Sequence, residues 1–490
     1  MCKMAGCCAV LGSQNFSVAL LIFLTTFVGI GSRKALLIYF QGINGQTAVS
    51  SNDLQLATIL FNVFAYLPAP LVAVLYQQRP LRRVMLICGS CLIPFSIMMT
   101  SFVSKLGPLR ILMSICGLGN CILLTTASIT LSNLASQHFN LIYSISTCGI
   151  GMGIVSLSAL TVYLGECYGW RGGTLVLGAL VGNIIPCAAA VRFSATSGWR
   201  RVDNCRPGQG DVVGEGESIP GTSCIRGVVM GEEEESDSDS SVSDTSRRES
   251  HPLIDGAPSC GVEGGRKSTT LKGTTEQLDR DCELPNGILR RIVSGIQESD
   301  FYTDPAFNFF FIAMFLVSLG YCGWHSLIVP NALERGFNVQ ENLILLSLSA
   351  AVGGISGRVV VGLLCDNRFS PVTVYLVCTV LDIASLLCDV FLSTLYLIIV
   401  TTCIRAGTIG GRAILGTLAA RERASLGKKD VVFATGPFCM GIGTLLGDLY
   451  SDKIPHITSS YDVTWWLVAG IFLEIVIFIT VLVPLIVQKR

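Results

Sequence analysis

The chain has 490 residues, of which 51% are hydrophobic and only 14% charged, with a formal net charge of zero at pH 7 and a mean hydropathy of +0.60. A soluble chain keeps its surface wet with about a quarter charged residues, so these figures exclude an ordinary soluble domain. The apolar residues come in blocks of the length, roughly 20 residues, that carries a helix across a hydrocarbon core of about 30 Å. A β-barrel would instead show alternating segments of about ten residues, and that pattern is absent.

In chain order, a short tail (1–15) carries Cys7 and Cys8, where palmitoylation would sit beside a first span. The stretch from Phe16 to about Tyr39 is too long for a signal-peptide core and reads as that span. Six spans are expected in a first bundle over 16–192, at about 16–41, 54–77, 83–103, 108–134, 139–165 and 170–192. Six more are expected over 305–487, at about 306–329, 341–365, 370–391, 394–419, 430–452 and 462–487, leaving 488–490 as a short tail. Asp53, Pro80, Gly107, Pro108, Gly169, Pro371 and Pro455 are assigned to the connections, where turn residues belong. The fold class is thus an all-α membrane protein of twelve transmembrane helices in two six-helix bundles.

Between the bundles, residues 193–304 hold 21 of the 34 acidic and 12 of the 34 basic residues, including the run Glu232–Glu235 followed by Asp237 and Asp239. So polar a segment cannot bury enough surface to offset its ordering, and the expectation is a disordered acidic spacer. Its serines beside acidic residues suit a kinase; an accessory membrane glycoprotein is a further expected class of partner. The membrane body is correspondingly basic. Short loops on one side carry Arg79, Arg82, Arg83, Arg368, Arg421, Arg423, Lys428 and Lys429, against Lys105, Arg110, Arg171, Arg335 and Lys453 on the other. The richer side reads as cytoplasmic, together with both termini and the acidic loop, in a plasma-membrane protein. The sequon Asn15-Phe16-Ser17 falls on that side, so no N-glycan is expected. Basic residues that punctuate apolar blocks form no continuous stripe, which excludes nucleic acid as a partner.

No HExxH, GxSxG or paired CxxC motifs with zinc spacing occur, and His138, His251, His325 and His456 are scattered. The reading is therefore not an enzyme, with neither cofactor nor metal; the 20 cysteines lie mostly in apolar stretches and read as packing residues. Gly149-Ile150-Gly151-Met152-Gly153 resembles half a nucleotide fingerprint but lies inside an apolar span, where small residues allow close helix packing.

Charges inside spans are costly and mark functional sites by default. Span 1 contains Arg33 and Lys34, span 8 Arg358, span 9 Asp382 and Asp389, and span 10 Arg405 and Arg412. A lysine from one bundle and an arginine from the other, facing one cavity, would suit a carboxylate: arginine as a planar fork, lysine as a mobile point charge. The alternative is that each charge pairs within its own bundle. Asp382 with Arg405 is such a pair, either structural or a proton-coupling site, while Arg412 and Asp389 are placed near span ends, able to snorkel.

Several segments resemble the monocarboxylate transporter family of the major facilitator superfamily. They are Tyr168-Gly169-Trp170-Arg171-Gly172 before span 6, Ser460-Tyr461-Asp462-Val463 before span 12, Gly320-Tyr321 with Pro330, Ala332 and Gly336, and Gly357-Arg358 through Asp366 in span 8. The resemblance implies two rocking bundles with alternating access, a substrate anion engaged by Lys34 and its carboxylate held by Arg358. It also has departures: Gly354 stands where proton-coupled members carry an aspartate, Gln137-His138 replaces a basic cluster, and Gly436-Pro437-Phe438 replaces Gly-Pro-Pro. The function expected is a secondary carrier of a small organic acid, a monocarboxylate or related compound, by facilitated diffusion rather than proton symport. The alternatives are a facilitator of a neutral or aromatic solute and a non-transporting receptor or scaffold.

Overall fold

A computed structural model describes residues 13–43, 51–103, 106–135, 138–191, 305–334, 336, 340–367, 369–391, 394–424, 429–458 and 463–488. The acidic segment, most of the N-terminal tail, Ser460-Tyr461-Asp462 and the C-terminal pair lie outside them.

The described residues form helices only. In the first half these are α1 (Ser13–Ile43), α2 (Ser51–Tyr66), α3 (Ala69–Tyr76), α4 (Arg79–Thr100), α5 (Leu106–Leu134), α6 (Phe139–Thr147), α7 (Gly149–Val181) and α8 (Ile184–Ala190). In the second half they are α9 (Pro305–Glu334), α10 (Gln340–Asn367), α11 (Pro371–Phe391), α12 (Leu395–Arg423), α13 (Lys429–Thr458) and α14 (Val463–Gln488). Each of the twelve expected spans overlaps one of these helices or an adjacent pair. Among the described residues nine helices are long and apolar enough to cross a membrane, and Asn308–Trp324 and Ala469–Val483 are shorter apolar helices.

The breaks have local causes. Pro68 separates α2 from α3 within one expected span. Gly169, at φ 67°, turns the chain inside α7, in a left-handed conformation that an L side chain resists. The turn residues differ from expectation in one respect: Pro80, Pro108 and Pro371 are in the first turns of helices rather than in connections, because a first-turn proline forgoes no intrahelical hydrogen bond. Asp53, Gly107 and Pro455 are likewise inside helices.

Buried hydroxyls turn back on their own helices, as in Thr25 Oγ1 to Leu21 O (2.6 Å) and Thr130 Oγ1 to Thr126 O (2.7 Å). This satisfies polar groups where no water is at hand. Large apolar side chains such as Phe95, Ile111, Val377 and Phe472 are exposed on the outside, the face that lipid would cover. Glycines set the closest crossings. A Cβ at Gly149 or Gly153 would lie 2.3 or 2.1 Å from the Phe23 or Phe27 carbonyl of α1, and one at Gly357 would lie 2.2 Å from the Gly407 carbonyl of α12. The Gly149–Gly153 run is therefore a packing surface, and α1 against α7 and α10 against α12 become rigid walls.

Candidate functional site

Those four helices, with α9, line a half-open cavity of about 840 Å³ between the bundles. Lys34 and Ile38 face it from α1, Ile150 through Val162 from α7, Tyr321, Trp324 and Ile328 from α9, Ile344 through Arg358 from α10, and Ala406 and Gly410 from α12. Lys34 and Arg358, expected on one cavity from two bundles, both line it. Among the described residues they are the only charged ones in its lining.

Arg358 is 7% exposed. Its Nη1 donates to the Gly354 carbonyl one turn earlier (2.7 Å), and its buried Nε has no partner among the described residues. The guanidinium fits because its neighbours lack side chains: a Cβ at Gly354 or Gly410 would lie 3.2 Å from Nη1. The titratable groups acting on it are Tyr321, Cys148 and Tyr66, and no carboxylate is among them. Lys34 is half-buried; the carboxylate whose charge it feels is Asp448 of α13, with no described carboxylate in ion-pairing range. A buried cation without a counter-ion is an expensive arrangement that an incoming anion relieves.

The neighbouring Arg33 is engaged differently. Its Nη1 donates to Asn62 Oδ1 (3.0 Å), and Asn62 Nδ2 donates to Asp448 Oδ2 (2.7 Å), a polar chain from α1 through α2 to the other bundle. Sequence reasoning named neither Asn62 nor Asp448.

The second set of membrane charges lies within the C-terminal bundle. Asp382 and Arg405 are 3.8 Å apart, but the other Asp382 oxygen is hydrogen-bonded to Arg412, which also takes both oxygens of Glu474, one of them at 3.1 Å. Arg412 is fully buried in the middle of α12, which corrects its expected place near a span end: the helix runs on to Arg423. Glu474 was overlooked, although a lone acid in an apolar span is itself the signal. Arg405 also lies over the Trp324 ring, 5.3 Å from its centroid, and so braces one wall of the cavity.

One end of the bundles is drawn together by a third set of contacts. His138 Nδ1 meets Asp366 Oδ2 at 2.6 Å, and Asn140 Nδ2 donates to Cys365 O at 3.4 Å. Arg421 donates from Nε to Ser132 Oγ (3.0 Å) and from Nη2 to Ala135 O (3.2 Å), with its guanidinium 3.7 Å from the Phe139 ring centroid. Phe433 packs edge-on against Phe139 and Tyr143. Arg358 is eight residues from Asp366, about 12 Å of helix rise, and the cavity extends from Arg358 away from this end, toward Ile344.

Three similar proteins and one family profile bear on this arrangement. Over 182 residues the chain is 26% identical to monocarboxylate transporter 3 of Gallus gallus, covering 37% of this chain and 33% of that one. It is 25% identical over 197 residues to monocarboxylate transporter 6 of Homo sapiens, covering 40% and 39%. The likeness to monocarboxylate transporter 9 of Rattus norvegicus is longer, 24% over 374 residues, covering 71% and 69%. In the first two cases the match spans only about a third to two-fifths of the relative. The sequence profile of the Major Facilitator Superfamily matches residues 22–447. With a match across both bundles and nine membrane-length helices among the described residues, the chain belongs to the Major Facilitator Superfamily and is a multi-pass membrane protein.

Proposed function

We propose that the chain is a secondary transporter for a carboxylate-bearing organic solute, a monocarboxylate or a related compound, moved by alternating access. The observation that carries this is Arg358, buried on the cavity with no carboxylate among the described groups that act on it, in the same cavity as Lys34. The names of the similar proteins point to the same solute class. Contacts at one end and a cavity extending toward the other correspond to one half of an alternating cycle. On the charge bias of the short loops, the drawn-together end is cytoplasmic and both termini share that side; the membrane proposed is the plasma membrane.

Transport is uncoupled from protons in this reading. Gly354 offers no titratable group one turn from Arg358, and Asp382 is engaged by Arg412. The test is uptake by the purified chain in proteoliposomes. Carboxylates should enter, their primary amides should not, and an inward proton gradient should change the rate less than about twofold. Equal uptake of acid and amide would favour the neutral-solute reading, for which the largely apolar cavity wall is the supporting observation. No uptake of either would favour a receptor.

A further inference from the structure

The cavity is larger and more apolar than a short acid needs. Pockets of roughly 300–1,000 Å³ bury most of a drug-sized ligand, and this one holds about 840 Å³. A two- or three-carbon acid, with the bulk of a few water molecules at roughly 30 Å³ each, would leave most of the wall unfilled.

The wall is also asymmetric. Arg358 stands at one end of it on α10, and Lys34 enters from α1 further along, since α1 runs beside α7 with Gly31 against Leu157. From Arg358, Ile150, Ile154 and Val162 continue along α7, Trp324 along α9, and Leu348 and Ile344 along α10. Arg358 to Ile344 is 14 residues, about 21 Å of helix, so the lining is an elongated slot with Arg358 at one end. Small residues keep it open where two helices cross: Ala350 on α10 and Ala406 on α12, with Gly354 beside the guanidinium. Trp324 gives it a fixed aromatic face, held from behind by Arg405.

We infer that the solute is a bulky amphipathic carboxylate, whose apolar or aromatic body lies along the α7, α9 and α10 wall while its carboxylate meets Arg358. This rests on the carboxylate reading above and adds the size and character of the rest of the molecule. Filling the slot displaces water from apolar surface, worth roughly fourfold in affinity per buried methylene.

The experiment measures binding by thermal stabilisation of the purified full chain. The probes are lactate, 3-phenylpropanoate and 2-naphthylacetate, each beside its primary amide. Affinity should rise in that order, with 2-naphthylacetate at least about 30-fold tighter than lactate, and each amide should be at least about tenfold weaker than its acid. Lactate within threefold of 2-naphthylacetate would overturn the inference while leaving the carboxylate reading standing. Acid and amide binding equally, with size still mattering, would overturn the carboxylate reading and with it the amphipathic acid. Ala159→Trp, which adds a ring to the α7 wall, should bring 2-naphthylacetate down to the affinity of lactate. Leu348→Trp on α10 serves in its place if the first variant does not fold. An unchanged 2-naphthylacetate affinity in the folded variant would place the ligand elsewhere and overturn the inference.

Discussion

Arg358 and Arg412 are both buried arginines, on helices packed against each other through Gly353, Gly357 and Gly407, and they differ in what answers their charge. Around Arg412, Asp382 and Glu474 arrive from two other helices, and with Arg405 nearby the cluster balances two acids against two bases. Around Arg358 there are glycines, a backbone carbonyl and a cavity. The first set closes on itself and ties α11, α12 and α14 into one body. The second leaves a charge to be completed from outside. In lipid a desolvated charge is tolerable only when something pairs with it, so the contrast separates the part of the machine that must stay rigid from the part that must change partner.

The contrast is broken most strongly at Arg412. Arg412→Gln leaves two buried carboxylates without their cation, a loss of about 3–5 kcal/mol. The variant should show a large fall in unfolding temperature and in monodisperse yield. Arg358→Gln should do the opposite: stability unchanged or raised, with solute affinity weakened by about 1.5–3 kcal/mol, read as a loss of uptake at low solute concentration. Gly354→Asp sharpens the comparison by giving Arg358 an internal counter-ion of the kind Arg412 already has. Its Cβ would lie 3.2 Å from Nη1, and a pair four residues apart on a helix is well placed to interact. Solute affinity should drop by about tenfold, and uptake should gain sensitivity to an imposed proton gradient. The smallest effect is expected at His138, whose side chain is 47% exposed. An exposed pair contributes no more than about 1 kcal/mol, so His138→Ala should alter the uptake rate by less than about fivefold.

The spans were legible because lipid imposes a length and a composition, and the helices overlap them throughout. Lys34 and Arg358 were legible because a charge in an apolar block is rare, and because the motif around Arg358 resembles a known one. Partners were not legible. Asp382 with Arg405 was named as a pair of opposite charges within one bundle, but which guanidinium reaches a carboxylate best depends on helix rotation, and Arg412 makes the hydrogen bond. Arg412 looked peripheral because the end of α12 lies beyond the last strongly apolar residue, at Arg423. Asn62 is an uncharged residue, inconspicuous until α1 and α13 are placed on either side of it. The cavity volume could not be read at all, since it depends on the spacing of five helices from both halves of the chain.

The most direct test of the difference between the two arginines is the thermal stability of the native chain, Arg358→Gln and Arg412→Gln, each with and without a saturating carboxylate. The native chain should gain stability from the carboxylate, Arg358→Gln should keep its starting stability and lose that gain, and Arg412→Gln should lose starting stability. A carboxylate-induced gain that survives intact in Arg358→Gln would contradict the assignment of Arg358 as the anion site.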